Sequence, residues 1–493
     1  MTTATPSANK YETVIGLEVH VQLKTNSKLF CSCKTDFGSE PNSNVCPVCT
    51  GQPGVLPVLN KKSVEGIVKV GLALGCTINK ESYFARKQYF YPDLPKAYQI
   101  SQSDQPVCEN GKIVISVSSA PKTIRIQRIH LEEDAGKLVH AIGATELPYS
   151  LVDLNRSSIP LMEIVSHPDL SSPEEAHDYL SILKATVQYT GVSDCDMEKG
   201  SLRCDANVSI RPLGETQFGT RVEVKNMNSF RAVKEAIVHE VARQAEVIEA
   251  GGKIVQETRL WNETLSATFA MRSKEDAHDY RYFPEPDLVP LKLTEAFVEE
   301  MKRGLPELPF ERRDRLVNEL GLTEYDANVL TGQKELVDFF ETGLNSLEES
   351  KRKPCAKPLV NWITTELMGR LNSDKKSIEA SPVTAQALVE VVGLIQANTL
   401  SGKMAKDVFA EMYEKGGLPK DIIQSKGLFQ VSNEEELLKL IDEVLKENPK
   451  IVEDVRGGKE KAIGSLVGAL MKKTKGQANP QMANELIKKR IVK

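Results

Sequence analysis

The chain has 493 residues, a formal charge of −5, and 40% hydrophobic against 27% charged residues. That is too long for one core and suggests about three domains, while the net acidity excludes a globally basic nucleic-acid binder. No apolar run approaches the ~20 residues of a membrane span and the lead-in Met1–Lys10 has no apolar stretch, so a cytoplasmic protein without a membrane partner is expected, its nine cysteines not a disulfide framework.

Tyr11–Leu23 alternates: Ile15, Leu17, Val19, Val21 and Leu23 are apolar, with Glu18, His20 and Gln22 between them. A period of two predicts a strand with one face in a core. It places Glu18 and His20 about 7 Å apart on the other face, at ~3.3 Å per residue. Such a pair can share one metal ion or one water; taken alone it is equally a solvated strand face. Next come Cys31-Ser-Cys33 and Cys46-Pro-Val-Cys49, joined by a loop of Gly, Pro and Asn. The spacing fits a four-thiolate zinc site, and four protein ligands leave no open position, so a structural zinc is expected. Ser63–Leu74 has helical spacing. Ser82–Gln102 interleaves Tyr83, Phe84, Tyr89, Phe90, Tyr91 and Tyr98 with Arg86, Lys87 and Lys96. That mixture suits either nucleotide or nucleic-acid ends or an ordered packing loop, and Pro92 and Pro95 predict no regular element there.

Thr123–Leu131 reads as a strand whose phase slips between Ile126 and Ile129, which predicts a bulge near Gln127–Arg128. It runs into Glu132-Glu133-Asp134, either a hydrated turn or a cation site. Tyr149–Leu154 and Leu161–Val165 are short strands around Asn155–Pro160. Pro173–Thr190 is a helix that Ser171 or Ser172 can cap. Cys204–Arg211 and Arg221–Lys225 alternate again and predict an antiparallel hairpin, with Asp205, Arg211, Arg221, Glu223 and Lys225 on polar faces. Ser229–Glu249 is a helix ending at Gly251-Gly252, and Lys253–Leu260 a strand. Leu265–Pro290 repeats the basic and aromatic mixture with Arg272, Lys274, His278, Asp279, Tyr280, Arg281, Tyr282 and Phe283, and its prolines close a first domain of residues 1–290.

From Leu291 the periodicity is helical without convincing strands. It predicts an all-helical domain over residues 291–401, with Lys351-Arg352-Lys353 in an exposed loop, and a helical tail domain over residues 402–493, where Ser432 and Glu435 make a capping box. Val455–Lys493 holds ten Lys and Arg against two Glu, a formal +8. Lys472, Lys473, Lys475, Lys488, Lys489 and Arg490 carry most of it and read as a nucleic-acid footprint rather than a solvated helix end.

The polar rows point to one chemistry. Glu18, His20, Glu133, Asp205 and Glu223 are candidates to converge over one face of a mixed sheet, with Arg156, Arg211, Arg221 and Lys225 nearby; spacing does not choose between Glu133 and Glu132. Carboxylates for Mg²⁺, alternated with cations for phosphate oxygens, are what phosphoryl transfer needs. The chain has no Gly-rich phosphate loop, so an ATP site here is built from side chains on a sheet.

The same residues carry a resemblance. Tyr11-Glu-Thr-Val-Ile-Gly-Leu-Glu-Val-His20, Tyr89-Phe-Tyr-Pro-Asp-Leu-Pro-Lys-Ala-Tyr-Gln-Ile-Ser-Gln102, His130-Leu-Glu-Glu-Asp-Ala-Gly-Lys137, Gly200-Ser-Leu-Arg-Cys-Asp-Ala-Asn207, Asp279-Tyr-Arg-Tyr-Phe-Pro-Glu-Pro-Asp287 and Lys475-Gly-Gln-Ala-Asn-Pro480 are long composite strings. Over nearly its whole length the chain resembles the B subunits of aspartyl/glutamyl-tRNA(Asn/Gln) amidotransferases (GatB/GatE). The resemblance implies an α+β architecture: a glutamine-synthetase-like mixed-sheet cradle, then a helical domain and a helical tail that holds tRNA. It implies a carbon–nitrogen ligase with glutamine as nitrogen donor, working as a heterotrimer with an amidase (A) subunit and a small C subunit. ATP and Mg²⁺ serve to phosphorylate the side-chain carboxylate of misacylated Glu-tRNA(Gln) or Asp-tRNA(Asn), and ammonia channelled from the amidase displaces the phosphate. Carried over by position, Glu18, His20, Glu133 and Glu223 are the Mg²⁺-site residues, with Asp205 close by; the four cysteines occur in part of the family. Because Glu133 continues the phase of Ile129 and Leu131, its meeting with Glu18 requires the strand end to turn. The rival reading is a zinc-containing tRNA-binding scaffold without chemistry of its own, against which three acidic strand faces argue.

Overall fold

In the computed structural model the alternating segment is a twelve-residue strand, Tyr11–Gln22 (β1), with Ile15, Leu17, Val19 and Val21 at most 1% exposed. The structure describes residues 10–116, 121–143, 145–271, 280–426, 434–456, 462–474, 478 and 480–492. Residues 1–9 of the lead-in, Arg272, Lys274, His278 and Asp279 of the second aromatic segment, Ser432 of the capping box and Lys475 of the tail lie outside them. The chain divides into two units, Met1–Pro309 and Phe310–Lys493.

The first unit is built on a nine-stranded sheet. Its other strands, in chain order, are Thr77–Ile78 (β2), Cys108–Ile115 (β3), Lys122–Glu133 (β4), Pro160–Ser166 (β5), Leu202–Pro212 (β6), Val222–Met227 (β7), Thr258–Asn262 (β8) and Ala267–Ala270 (β9). The spatial order is β9-β8-β7-β6-β1-β5-β4-β3-β2, so β1 lies at the centre between β5 and β6. The β7–β8 pair is parallel and the rest antiparallel, which makes the sheet mixed. Helices Lys61–Ala73 (α1), Pro173–Tyr189 (α2) and Phe230–Glu249 (α3) contribute Ile67, Tyr179, Leu183 and Val233 to the core on the apolar face. Their N-termini are capped by Asn60, Ser172 and Ser229, whose side chains accept from Lys62, Glu175 and Ala232 N–H.

The phase slip in β4 is a bulge. Arg128 faces Val165, yet Ile126 faces Ser166, which leaves Gln127 as the extra residue against β5. The slip keeps both Ile124/Ile126 and Ile129/Leu131 buried. The hairpin of β6 and β7 also forms as expected.

Three expectations change. Pro92 and Pro95 do not abolish regular structure in the aromatic segment: Ala85–Gln88 and Tyr98–Ser101 pair with each other, and Phe283–Pro284 joins them as a three-stranded sheet. Both prolines fall in the connection between those strands, where no ladder N–H is needed. The segment before β8 is not a strand until Thr258. Lys351, Arg352 and Lys353 lie in helix Glu349–Asn361 rather than in a loop. Burial of Cys355, Ala356, Leu359 and Val360 along one face outweighs the internal Pro354 and Pro358. Sequence patterning also missed β3 and the strand Lys137–Ile142, which pairs with Thr145–Asp153 as a hairpin exposed on most of its length.

The second unit is helical. Gly402–Lys415 and Pro419–Lys426 contact Ala385–Gln396. A separate core of Leu437, Ile441, Leu466, Leu470, Ile487 and neighbours draws on Glu434–Glu447, Ile463–Lys473 and Pro480–Val492. The α+β class with helical C-terminal regions is therefore as expected.

Candidate active site

Register alone assembles the polar face of the first unit. His20 on β1 is opposite Glu163 on β5 and Arg203 on β6; Glu163 in turn is opposite His130 on β4. Glu132, two residues beyond His130, shares its face. His20 Nε2 lies 3.4 Å from Glu163 Oε2 and 3.7 Å from Glu132 Oε1. His130 Nε2 lies 3.5 Å from Glu163 Oε2 and 3.8 Å from Glu132 Oε2. Two imidazoles thus alternate with two carboxylates, and His20, Glu132 and Glu163 each offer a ligand atom within 4.8 Å of the others.

The charges support one another. Burial works against ionisation of Glu163, but His130 and the hydrogen bond and charge of His20 hold its carboxyl well below the usual range. Burial also opposes ionisation of Glu132, which the His130 hydrogen bond and the Lys87 ammonium overcome. His20 is the converse: burial disfavours its cation, and the Glu163 hydrogen bond with Glu163, Glu132 and Asp205 raises it above the ordinary imidazole value. Buried carboxylates kept ionised by cations, with an imidazole among them, are a donor set that fits a divalent cation.

Acidic groups continue to one side. Glu18, opposite Asp205 in register, accepts from Asn207 Nδ2 at 3.0 Å. Burial, then Glu163 and Glu223, push its carboxyl upward. Lys225 bridges Asp205 and Glu223, and Thr258 Oγ1 donates to Glu223 at 2.8 Å. The Lys225 ammonium is raised by Asp205 and Glu223 despite its burial. On another side stands Lys87, its Nζ 4.9 Å from the centre of the Tyr280 ring. Burial opposes its charge, and Glu132, Tyr282 and Glu163 more than compensate.

Of the sequence candidates, Glu18, His20, Asp205, Glu223 and Lys225 therefore share one face. Glu133 does not join them. The end of β4 does not turn, so Glu133 points to the opposite side, 1% exposed, ion-paired with Lys96 and accepting from Ile100 N–H at 2.8 Å. Arg156 donates to the Ala135 and Gly136 carbonyls at 3.1 and 2.6 Å and stands 3.6 Å from Asp134. Arg211 pairs with Glu12 at 2.9 Å, six residues and about 20 Å along β1 from Glu18. Arg221 is exposed just before β7. Reading the sequence missed the site positions of His130, Glu163, Lys87 and Arg203. Arg203 donates at 2.9 Å to the buried Asp134, which also accepts from Gln22 at 2.7 Å.

The four cysteines converge as their spacing predicts, with all Sγ atoms within 4.8 Å of one another. Cys46 and Cys49 Sγ are 3.9 Å apart, close to the ~3.8 Å expected for tetrahedral ligands at 2.3 Å from zinc. Cys46 N–H donates to Cys49 Sγ at 3.2 Å, and the fully buried Lys28 ammonium lies 3.6 Å from the same sulfur. Cys31, the Cys46 N–H and the Lys28 charge hold the Cys49 thiol low. This donor set fits a thiolate-bound metal. The loop is tied to the segment leading into β5: Asn42 bonds Val152 O and Leu154 N–H, Asn44 N–H bonds Asn155, and Ser157 Oγ bonds Cys49 O.

In the tail, Lys472, Lys488 and Lys489 are exposed. Lys473 is paired with Glu443 and Glu447, each at 2.7 Å, and Arg490 makes two bonds to Asp442 at 2.8 and 2.6 Å. No helix among the described residues is long and apolar enough to cross a membrane.

Comparison with known proteins identifies the family. Residues 13–299 match the model of the GatB/GatE catalytic domain and residues 338–491 that of the GatB domain. The chain is 53% identical to the B subunit of the aspartyl/glutamyl-tRNA(Asn/Gln) amidotransferase of Carboxydothermus hydrogenoformans, over 98% of this chain and 99% of that protein. It is 54% identical to the B subunit from Thermoanaerobacter pseudethanolicus, over 98% and 100%. It is 53% identical to the B subunit from Brevibacillus brevis, over 97% and 98%.

Proposed function

The chain belongs to the family of aspartyl/glutamyl-tRNA(Asn/Gln) amidotransferase B subunits, a family of glutamine-dependent ligases, and on that premise we propose that its sheet face activates an aminoacyl carboxylate. In this reading a side-chain carboxylate oxygen of Glu-tRNA(Gln) or Asp-tRNA(Asn) attacks the γ-phosphorus of ATP, and ADP leaves. Ammonia then attacks the acyl carbon, loses a proton, and inorganic phosphate leaves. The reason for two steps is chemical: oxide is not a viable leaving group, and phosphate is.

The triangle of His20, Glu132 and Glu163 carries the proposal. These three residues would hold Mg²⁺, with Glu18, Asp205 and Glu223 beside them. When bound, the cation supplies charge neutralisation for the phosphate oxygens. Lys87 and Lys225 flank the face as cations for anionic substrate groups. Glu18, with its raised carboxyl, is suited to take the proton that ammonia loses. The cysteine site is structural zinc, and the exposed tail lysines bind the tRNA. The partners are an amidase subunit that releases ammonia, a small C subunit and misacylated tRNA.

The test is a reconstituted heterotrimer carrying His20→Ala. ATP-dependent phosphorylation of Glu-tRNA is expected to disappear while glutamine hydrolysis persists. Normal transamidation by that variant would sink the reading, as would tRNA binding by the wild type without metal-dependent ATP turnover, which is the behaviour of a scaffold.

A further inference from the structure

The loop between Gln88 and Tyr98 presents an aromatic ring that the reaction has not used. Phe90 is 87% exposed, yet the loop around it is fixed. Leu94 N–H bonds Tyr91 O and Ala97 N–H bonds Leu94 O, both at 3.0 Å, while Asp93 and Leu94 are buried. Gly136 N–H donates to Asp93 O at 2.8 Å, and a Cβ at Gly136 would stand 2.9 Å from that oxygen, so the approach requires glycine. Lys96 closes the ion pair with Glu133, and Gln99 Nε2 donates to Glu133 O at 2.5 Å. The outside anchors are Glu133, the last residue of β4, and Gly136 three residues beyond it. Glu133 thus mounts the loop from behind, and the strand that follows the loop, Tyr98–Ser101, reaches the carboxylate–imidazole cluster on the other side, Ser101 Oγ donating to Glu132 Oε2 at 3.2 Å.

What these segments expose is unusual in kind. The large apolar side chains exposed in residues 82–98 and 280–284 are all aromatic: Tyr83, Phe90, Tyr91, Tyr282 and Phe283. Lys87, three residues before Phe90, is held charged by Glu132 and Glu163 of the cluster, and its Nζ lies 4.9 Å from the centre of the Tyr280 ring. Val289, 84% exposed, is the nearest exposed aliphatic in sequence beyond these rings. Rings interleaved with cations are what a single-stranded nucleic acid stacks on. The reacting aminoacyl group is esterified to the terminal ribose of its tRNA, so the terminal base must lie near the cluster when the carboxylate enters it.

We propose that Phe90 is the stacking residue for the 3′-terminal adenine of the substrate tRNA. The inference rests on the phosphorylation reading of the cluster, because that reading brings the tRNA end to the cluster. Stacking worth ~1–3 kcal/mol per base corresponds to about fivefold to hundredfold in affinity at 1.4 kcal/mol per factor of ten.

The experiment measures binding of the heterotrimer to two uncharged transcripts of its tRNA, one intact and one lacking the terminal adenosine. Phe90→Ala should weaken the intact transcript about tenfold. Removing the adenosine should cost the wild type a similar factor, and combining the two should cost no more than either alone. Phe90→Trp should bind as wild type and Phe90→Leu as Phe90→Ala, with all variants eluting as trimers. Additive losses would overturn the proposal. So would wild-type affinity in Phe90→Leu, which marks an aliphatic protein contact, or a raised KM for ATP with tRNA binding unchanged. The binding cycle contains no ATP, so it reads stacking alone; retained transamidation in His20→Ala is a separate failure, that of the cluster reading.

Discussion

His20 and Glu163 stand directly opposite one another on adjacent antiparallel strands, Nε2 to Oε2 at 3.4 Å, and each shifts the other toward its charged form. A divalent cation would take the place of the imidazole proton between them. Glu163→Gln keeps the volume and removes the charge. It is expected to lower transamidation by roughly 10²–10³, the usual cost of losing one preorganised electrostatic group, and to raise the Mg²⁺ concentration needed for half-maximal rate. Glutamine hydrolysis by the amidase subunit serves as the internal control. An unchanged Mg²⁺ requirement would remove Glu163 from the metal site.

Glu163 also marks what the sequence concealed. β1 was legible because one of its faces is polar and period two is unambiguous. The bulge in β4 was legible because Ile126 and Ile129 cannot share a face without one. In β5, by contrast, Leu161, Met162, Ile164 and Val165 surround Glu163, and all seven residues are buried. A strand covered on both faces loses its alternation, so a lone acid within it carries no phase. Glu133 is the opposite case. The local phase of Ile129 and Leu131 already directed it to the core side, and the structure follows that phase; the choice between neighbouring carboxylates came from the resemblance. Lys87 was concealed because strands on both sides of a proline-rich connection are too short to show a period.

Lys96 and Glu133 form a buried ion pair, their side chains 6% and 1% exposed. Removing one partner strands the other charge, at a typical cost of ~3–5 kcal/mol. Lys96→Met and Glu133→Gln should each lower the thermal midpoint of the first unit, and the double variant should recover part of the loss. Thermal melting of the trimer checks this. Additive destabilisation would show that the two side chains do not act as a pair. If Glu133 instead held the cation, Glu133→Gln would shift the Mg²⁺ requirement while Lys96→Met left it unchanged.

The cysteine site predicts a metal with a mechanical role. Elemental analysis of purified protein should find about one zinc per chain, bound tetrahedrally by four thiolates. Cys46→Ser, or removal of the metal by a strong chelator, should free the loop that carries Asn42 and Asn44. The hydrogen bonds from that loop to residues 152–155 then go, and these residues lead directly into β5. The expected result is faster hydrogen exchange at 152–159 and lower transamidation with tRNA affinity retained. Metal-free protein with unchanged exchange there would show that the loop is held without zinc.

The tail separates two kinds of basic residue that composition alone treats alike. Lys488 and Lys489 are exposed, whereas Lys473 and Arg490 are already committed to Glu443, Glu447 and Asp442 within the same helical core. A cation neutralised by its own chain releases few counterions on meeting phosphate. The salt dependence of tRNA binding should therefore report mainly on the exposed set. Lys488→Gln and Lys489→Gln should each weaken binding at low salt and flatten the slope of log K against log salt by about one for each phosphate no longer neutralised. Arg490→Gln should change that slope little and instead lower the melting temperature of the tail. Equal slope changes for Lys488 and Arg490 would mean that the Asp442 pair opens on binding, and would return both residues to the footprint.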